Sequence, residues 1–342
     1  MINTISSSVV TEVANVYRSA DFEIWMLYVE QGDRSLERII RQVDGVSNTY
    51  GCYGAYNVEL DGMDGERISY LQGIDPTKYT EYWNTDFVGD EKALLSQLDK
   101  GRNIILSETM KEKYGLETGD ILKLRLRQIT RAYTIIGFMN TMLQNGSIAL
   151  ISENNVKIDT GDRFYQEIYI KAFGDADKVV ETLEKQLVQR PHYIKTVKQM
   201  EYENQKSNNN IFMILKGFSM MALVIGTFGI LNNLIISFIE RRRSLAMLRS
   251  MGMSKSQTLK MVFIEALSGG LVGGITGVVA GYFLLWSVPF VLKAINLPVP
   301  LLFPFNSIPT YVIAGTLITM AASISPAIKS SRINIIDSIK YE

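Results

Sequence analysis

Residues 238–265 read FIERRRSLAMLRSMGMSKSQTLKMVFIE and lie between two long stretches without charge. Within them, Arg241, Arg242, Arg243, Arg249, Lys255 and Lys260 stand against Glu240 and Glu265. A basic connection between two apolar segments marks the cytoplasmic side of a membrane protein. The connection is also patterned to fold. Leu245, Leu248 and Met251 recur at helical spacing, and Gly252 stands where a left-handed glycine would end that helix. Ser254 with Gln257 then forms a capping box that starts a new one. A loop folded as helix, glycine and helix is a docking surface rather than a tether.

Working outward, three spans emerge. Residues 211–238 carry one charge, Lys216, near the outer end; residues 266–292 and 308–327 carry none. Each reaches or approaches the roughly 20 residues that cross ~30 Å of hydrocarbon. Three such runs so close together exclude buried core helices. The charges divide accordingly. Residues 1–209 hold 24 Lys/Arg against 31 Asp/Glu, and the remainder holds 11 against 4. The connection from Lys293 to Ser307, with Pro298, Pro300 and Pro304, has a single positive charge, whereas the tail has Lys329, Arg332 and Lys340. The positive-inside rule therefore places residues 239–265 and the C-terminus in the cytoplasm and the first two hundred residues outside. An external domain of that size needs a segment to lead it across. Residues 1–30 are too polar to be a signal peptide or a span, so an upstream transmembrane helix is expected from a longer permease.

The external part reads as mixed α and β. Residues 21–29 form a strand, and Leu36, Ile39, Ile40 and Val43 give a helix after Ser35. Ser107 caps a short helix that ends at Gly115, and a turn at Gly119-Asp120 leads into ILKLRLRQ, a one-sided strand. AYTIIGF is its antiparallel partner, and residues 166–171 are a further strand. Asp175 caps a helix that turns Val180, Leu183 and Leu187 inward and ends by Pro191. The YGCYGAY run at 50–56 reads as strand and turn packed by tyrosines rather than an aromatic ligand patch. Residues 197–210 form a polar stalk running into the first span.

The spans hold little chemistry. Gly269, Gly273, Gly277 and Gly281 recur every fourth residue, with Gly270 and Gly274 alongside, which suits close helix packing within the chain or its dimer. Asn232 and Asn233 suit interhelical hydrogen bonding. No acid, histidine or arginine lies deep in a span, so a proton relay has no candidate. One cysteine, Cys52, excludes an internal disulfide, and no phosphate loop, hydrolase elbow or metal-ligand spacing occurs. The 245–262 stretch resembles a DNA-binding helix-turn-helix, but the space between spans is too short for a supporting third helix, so no nucleic-acid partner is expected.

With those residues in view, the chain resembles the FtsX-like, MacB-like permeases of ABC transporters. ERRRSLAMLRSMG at 240–252 is similar to the family's coupling helix, and Phe263-Ile264-Glu265-Ala266 and the tail SPAIKSSRINIIDSIKYE at 325–342 are similar to its later motifs. The stretch ILSETMKEKYGLETGDILKLRL looks like the family's extracytoplasmic core. Ser244 replaces the family's second glutamate, and the family's first helix is missing. The resemblance implies an α+β extracytoplasmic domain of the MacB periplasmic core type with its stalk at 1–206. A transmembrane domain at 207–342 would follow, in a multi-pass plasma-membrane protein. It also implies mechanotransmission. A separate cytoplasmic ATPase, carrying the ATP and Mg, would push the 240–252 helix, and this chain would bind no cofactor or metal and catalyse nothing itself. Glu240, Arg241, Arg242, Arg243, Leu245, Leu248, Arg249 and Gly252 would dock it, with Glu265 steadying the following helix. The arginines alternatively mark topology and touch lipid headgroups. Other implied partners are membrane lipids and a second permease copy, or an upstream half carrying the missing helix. The implied activity is export or extraction of a lipid, lipoprotein, peptide or antibiotic. The alternative is a regulator on the same scaffold that switches an extracellular cell-wall hydrolase or sensor. A membrane-anchored external enzyme is a third reading.

Overall fold

The computed structural model describes residues 2–188, 192–294 and 305–331. Pro191, the Pro298–Pro304 loop and the tail from Arg332 fall outside them, but the helix capped by Asp175 ends at Gln186, before Pro191 as expected. Residues 7–208 make one compact unit, and residues 209–288 with the last helix make another.

The first unit opens with helix α1 (Ile2–Arg18), then alternates strand and helix: β1 (Ile24–Gly32), α2 (Arg34–Arg41), β2 (Val46–Leu60), β3 (Arg67–Ile74), α3 (Pro76–Tyr82), β4 (Asp86–Val88), α4 (Glu91–Leu98) and β5 (Asn103–Ser107). After these come α5 (Glu108–Tyr114), β6 (Ile121–Leu126), β7 (Ile129–Asn140), β8 (Ile148–Ser152), α6 (Glu153–Thr160), β9 (Tyr165–Ala172), α7 (Ala176–Gln186) and β10 (Tyr193–Thr196). The strands lie in the order β10-β1-β9-β2-β3-β8-β5-β7-β4, and β6 pairs with both β2 and β7. Strands β2, β3, β8, β5, β7 and β6 therefore return on themselves, leaving no free edge within that circuit.

Local chemistry explains the elements. The β6 leucines 122, 124 and 126 are buried while the intervening cations are exposed, and β7 pairs with it antiparallel, as the alternation predicts. Ser107 Oγ accepts from the Met110 amide at 3.2 Å, and α5 ends at left-handed Gly115. Helix α2 starts two residues before the expected position, because the Asp33 carboxylate caps the Ser35 and Leu36 amides, both at 3.0 Å. The YGCYGAY run is uninterrupted strand in β2. Its glycines make room for rings on neighbouring strands: a Cβ on Gly51 would sit 2.4 Å from Tyr165, and one on Gly54 would sit 2.5 Å from Tyr70.

Both faces of the sheet are covered, so alternate residues enter different layers. Ile24, Met26, Ile168 and Ile170 join an aliphatic core, while Trp25 and Tyr169 join an aromatic one with Phe22, Tyr50, Tyr82 and Trp83. Two carboxylates lie inside this framework. Glu167 is fully buried and accepts from Tyr169 Oη (2.6 Å), Tyr56 Oη (3.1 Å) and Trp25 Nε1 (3.3 Å). Burial outweighs those donors and pushes its carboxyl up to about 7. Asp159 shows the opposite balance. Burial alone would raise it, but Arg102 (2.8 and 2.7 Å), Tyr133 Oη (2.7 Å) and Arg131 (3.1 Å) hold it below the usual carboxylate range.

The second unit is helical. Helix α8 (Val197–Glu240) includes the polar 197–210 stretch as its first turns, followed by α9 (Arg242–Ser250), α10 (Lys255–Ala294) and α11 (Ile308–Ser331). Residues within Val197–Glu240, Lys255–Val291 and Phe305–Ser325 make three helices long and apolar enough to cross a membrane. Within this chain, close packing falls on the second of the two glycine rows. A Cβ on Gly269, Gly273, Gly277 or Gly281 would meet nothing within 4 Å, whereas one on Gly270 would lie 3.0 Å from the Thr316 backbone. One on Gly274 would lie 3.2 Å from the Val312 carbonyl. The two rows are offset by one residue, about 100° around the helix, and α11 occupies the second. Asn232 and Asn233 are exposed and make no hydrogen bond among the described residues, so the bonds expected of them are not made within this chain.

Candidate coupling site

Helix α8 runs through Glu240 without the expected break before it, and the chain bends at Arg241, whose backbone (φ −91°, ψ 2°) leaves the helical region. The helix expected over 240–252 is therefore shorter, with Glu240 as the last residue of the preceding one. Two backbone bonds close α9. The Gly252 amide donates to Arg249 O and the Met253 amide to Leu248 O, both at 3.1 Å, with Gly252 at φ +106°. This is a Schellman termination, and the left-handed residue in it favours glycine. The capping box forms as expected. The Ser254 amide donates to Gln257 Oε1 at 2.8 Å, and the Gln257 amide donates to Ser254 Oγ at 3.2 Å. Thr258, fully buried, returns its hydroxyl to Ser254 O at 3.2 Å. Hydrogen bonds thus fix both ends of a very short connection.

The two faces of α9 differ. Leu245 and Ala246 are buried against Phe238. On a helix advancing about 100° per residue, Leu248 lies roughly 60° from Leu245 and Met251 roughly 120° from it. The apolar residues turned away from the Leu245–Ala246 edge are exposed: Leu248 37%, Met251 76%, and Met247 on the far side 47%. The two leucines expected to dock, Leu245 and Leu248, are therefore split. Leu245 anchors the helix inward, and Leu248 with Met251 faces out, joined by Met247, which helical spacing from Leu245 did not select. Its cue was adjacency to an inward alanine, visible only once the buried face is known.

The charged residues surround this ridge. Arg241 Nη1 meets Glu265 Oε1 at 2.9 Å, tying the bend to α10 across 24 residues. Both partners are half in solvent, so the pair is worth no more than about 1 kcal/mol and acts mainly on position. Glu240, Arg243 and Ser244 are exposed and Arg249 is half-buried, while the Arg242 side chain lies outside the described residues. A helix with one buried edge, a capped C-terminus and an outward ridge of two methionines and a leucine can seat in an apolar groove on another protein.

Residues 216–335 match the FtsX-like permease C-terminal family. The chain carries an FtsX-like permease domain. Across a wider stretch it is 26% identical over 257 residues to an uncharacterized ABC transporter permease of Methanocaldococcus jannaschii, covering 72% of this chain and 64% of that one. Over 136 residues it is 32% identical to the macrolide export ATP-binding/permease protein MacB of Rhodopirellula baltica, covering 38% of this chain and 18% of that one. The chain thus spans less than two thirds of the length of these relatives. The fold is similar to the periplasmic region of MacB from Actinobacillus actinomycetemcomitans, at 10% identity and a TM-score of 0.37, covering 56% of this chain and 97% of that one. The FtsX-like domain contains the whole α8–α9–α10 connection, so Arg241, Leu248, Gly252 and Glu265 all fall inside the matched region.

Proposed function

We propose that this chain is the permease part of an ABC transporter of the mechanotransmission type. In that reading residues 239–265 face the cytoplasm and a separate ATPase seats on α9. ATP-driven closure of the ATPase pushes on α9. The spans carry the push to the extracytoplasmic domain at 1–206, which moves a lipid, lipoprotein, peptide or antibiotic. The observation that carries the reading is the outward Met247, Leu248 and Met251 ridge on a helix closed at its C-terminus by a Schellman turn, between two helices long enough to cross a membrane. An outward apolar ridge on a helix that also exposes Arg243 suits a partner with an apolar groove and an acidic rim. The ATPase, not this chain, would hold ATP and Mg, and either a second copy or an upstream half would complete the permease.

The test is affinity purification of the full chain from gently solubilised native membranes, with stoichiometric partners identified by mass. A nucleotide-binding protein should accompany the wild type and be lost from Leu248→Asp, whose side chain projects from the surface. Retention of the ATPase by Leu248→Asp at wild-type stoichiometry would refute docking at α9.

A further inference from the structure

Away from the coupling site, the first unit carries a groove that neither its fold nor the permease reading uses. It lies between α2, α3 and the start of β2, with a volume of about 290 Å³. Arg34, Arg38 and Arg41 recur at helical spacing along α2, and Lys78 of α3 lines the same groove. Residues 1–209 as a whole hold an excess of acid, so this is a local reversal of sign. A concave basic site on an acidic domain concentrates small anions and repels less than its surroundings do.

Both acids in the groove are already engaged. Glu37 accepts from Tyr165 Oη (3.0 Å), the Gly51 amide (3.1 Å) and Thr49 Oγ1 (3.2 Å), and it lies 3.8 Å from Arg41. Glu153 pairs with Lys157. Two of the cations are not. Arg34 and Arg38 are exposed and have no hydrogen-bond or ion-pair partner among the described residues. Their placement costs the helix something. Arg34 is the first residue of α2, where the macrodipole disfavours a cation, and like charges four residues apart repel by a few tenths of a kcal/mol. A bound anion offsets both. The third guanidinium is already oriented, donating from Nε to Thr49 Oγ1 at 2.7 Å and from Nη2 to the Thr49 carbonyl at 2.9 Å.

We propose that this groove binds a phosphoryl anion, carried by a phospholipid headgroup or by a soluble phosphate compound. Guanidinium forks match phosphoryl oxygens two at a time, which favours this class over a monocarboxylate. The volume sits at the lower end of small-molecule sites, enough for one or two phosphoryl groups with a small substituent.

The test is titration calorimetry on the full chain in phosphatidylcholine nanodiscs, with inorganic pyrophosphate and short-chain dihexanoyl phosphatidate as separate probes. Wild type should bind at least one of them, and binding should weaken between about 50 and about 200 mM salt. Arg34→Glu with Arg38→Glu should weaken it at least about tenfold, and Lys78→Glu, on a different helix, should also weaken it. Preference for pyrophosphate assigns a soluble ligand, and preference for the phosphatidate assigns a headgroup. Arg34 and Arg38 are exposed and unpartnered among the described residues, and Lys78 has only an exposed pair with Asp75 at 3.6 Å, so the melting temperature should change little. Should the double variant nevertheless fail to fold, Arg38→Gln and Lys78→Glu carry the same comparison. Failure of both probes to bind, or equal binding by wild type and the variants, overturns the site; neither result bears on ATPase docking.

Discussion

Replacing Glu167 by Gln should remove a pH dependence that the buried carboxyl builds into the first unit. Folding lifts this group from its ordinary 4.5 to about 7, because burial among Trp25, Tyr56, Tyr70, Gln72, Cys52 and Tyr169 costs its charge more than the three donors return. The sign is set by proton uptake. Between the two values the folded state holds the proton more tightly than the unfolded state, so stability falls as pH rises. The contribution is complete below about 4.5, declines through the interval and is lost above about 7. At about 1.4 kcal/mol per pH unit over roughly 2.5 units, the decline is about 3 kcal/mol. The acids held low, Asp159, Asp75 and Glu66, lose their contribution only as pH falls through the acidic range, so the windows separate. The assay is urea unfolding of the detergent-solubilised full chain at several pH values, followed by fluorescence. Trp25 and Trp83 lie in the aromatic core around Glu167 and report its loss. Wild type should show an unfolding midpoint that falls from about pH 5 to about pH 8, and Glu167→Gln should be nearly flat over that interval. A wild-type slope retained in the Gln variant would show that another group titrates and that the argument from burial is wrong.

Other outcomes follow from single contacts. Leu245→Asp should lower the stability of the α9 region itself by about 2–4 kcal/mol, since it buries an unpaired charge; amide exchange in α9 should accelerate, which Leu248→Asp should not cause. Gly270→Leu should separate α10 from α11 and lower thermal stability, while Gly273→Leu, with open space at its Cβ, should leave the isolated chain's melting temperature unchanged. Asp159→Asn strips the charged acceptor from Arg102, Arg131 and Tyr133 and should cost about 1–3 kcal/mol in urea unfolding, with most of that loss disappearing below the ordinary carboxylate pKa.

Where one element dictates its own shape, the sequence sufficed. The Ser254–Gln257 box, the Gly252 termination, the Ser107 cap and the alternating leucines of β6 all depend on neighbours within a few residues, and each forms as the residues indicate. The α1 helix and the full length of β2 were not legible. The α1 segment carries Ile2, Ile5, Val9 and Val13 at helical spacing, but serines and other polar residues dilute the pattern, and the glycines in YGCYGAY suggest a turn until the Tyr165 and Tyr70 rings that require them are in place. The basic connection proposed for coupling was legible as a helix, glycine and helix but not in its orientation. Only the burial of Leu245 and Ala246 separates the inward edge of α9 from its outward ridge.

The chain alone determined where charge and hydrophobicity fall: an acidic mixed domain, three membrane-length segments and a basic capped connection between two of them. These are properties of the order of residues, and no packing can move a positive loop or shorten an apolar run. Tertiary structure decided every choice among equivalent surfaces. It gave α11 the Gly270–Gly274 row instead of the adjacent Gly269–Gly281 row, closed six strands through β6, and enclosed Glu167 in aromatic rings. Helical and strand periods specify which residues share a face, but the neighbour that covers that face comes from distant sequence, and burial depends on that neighbour.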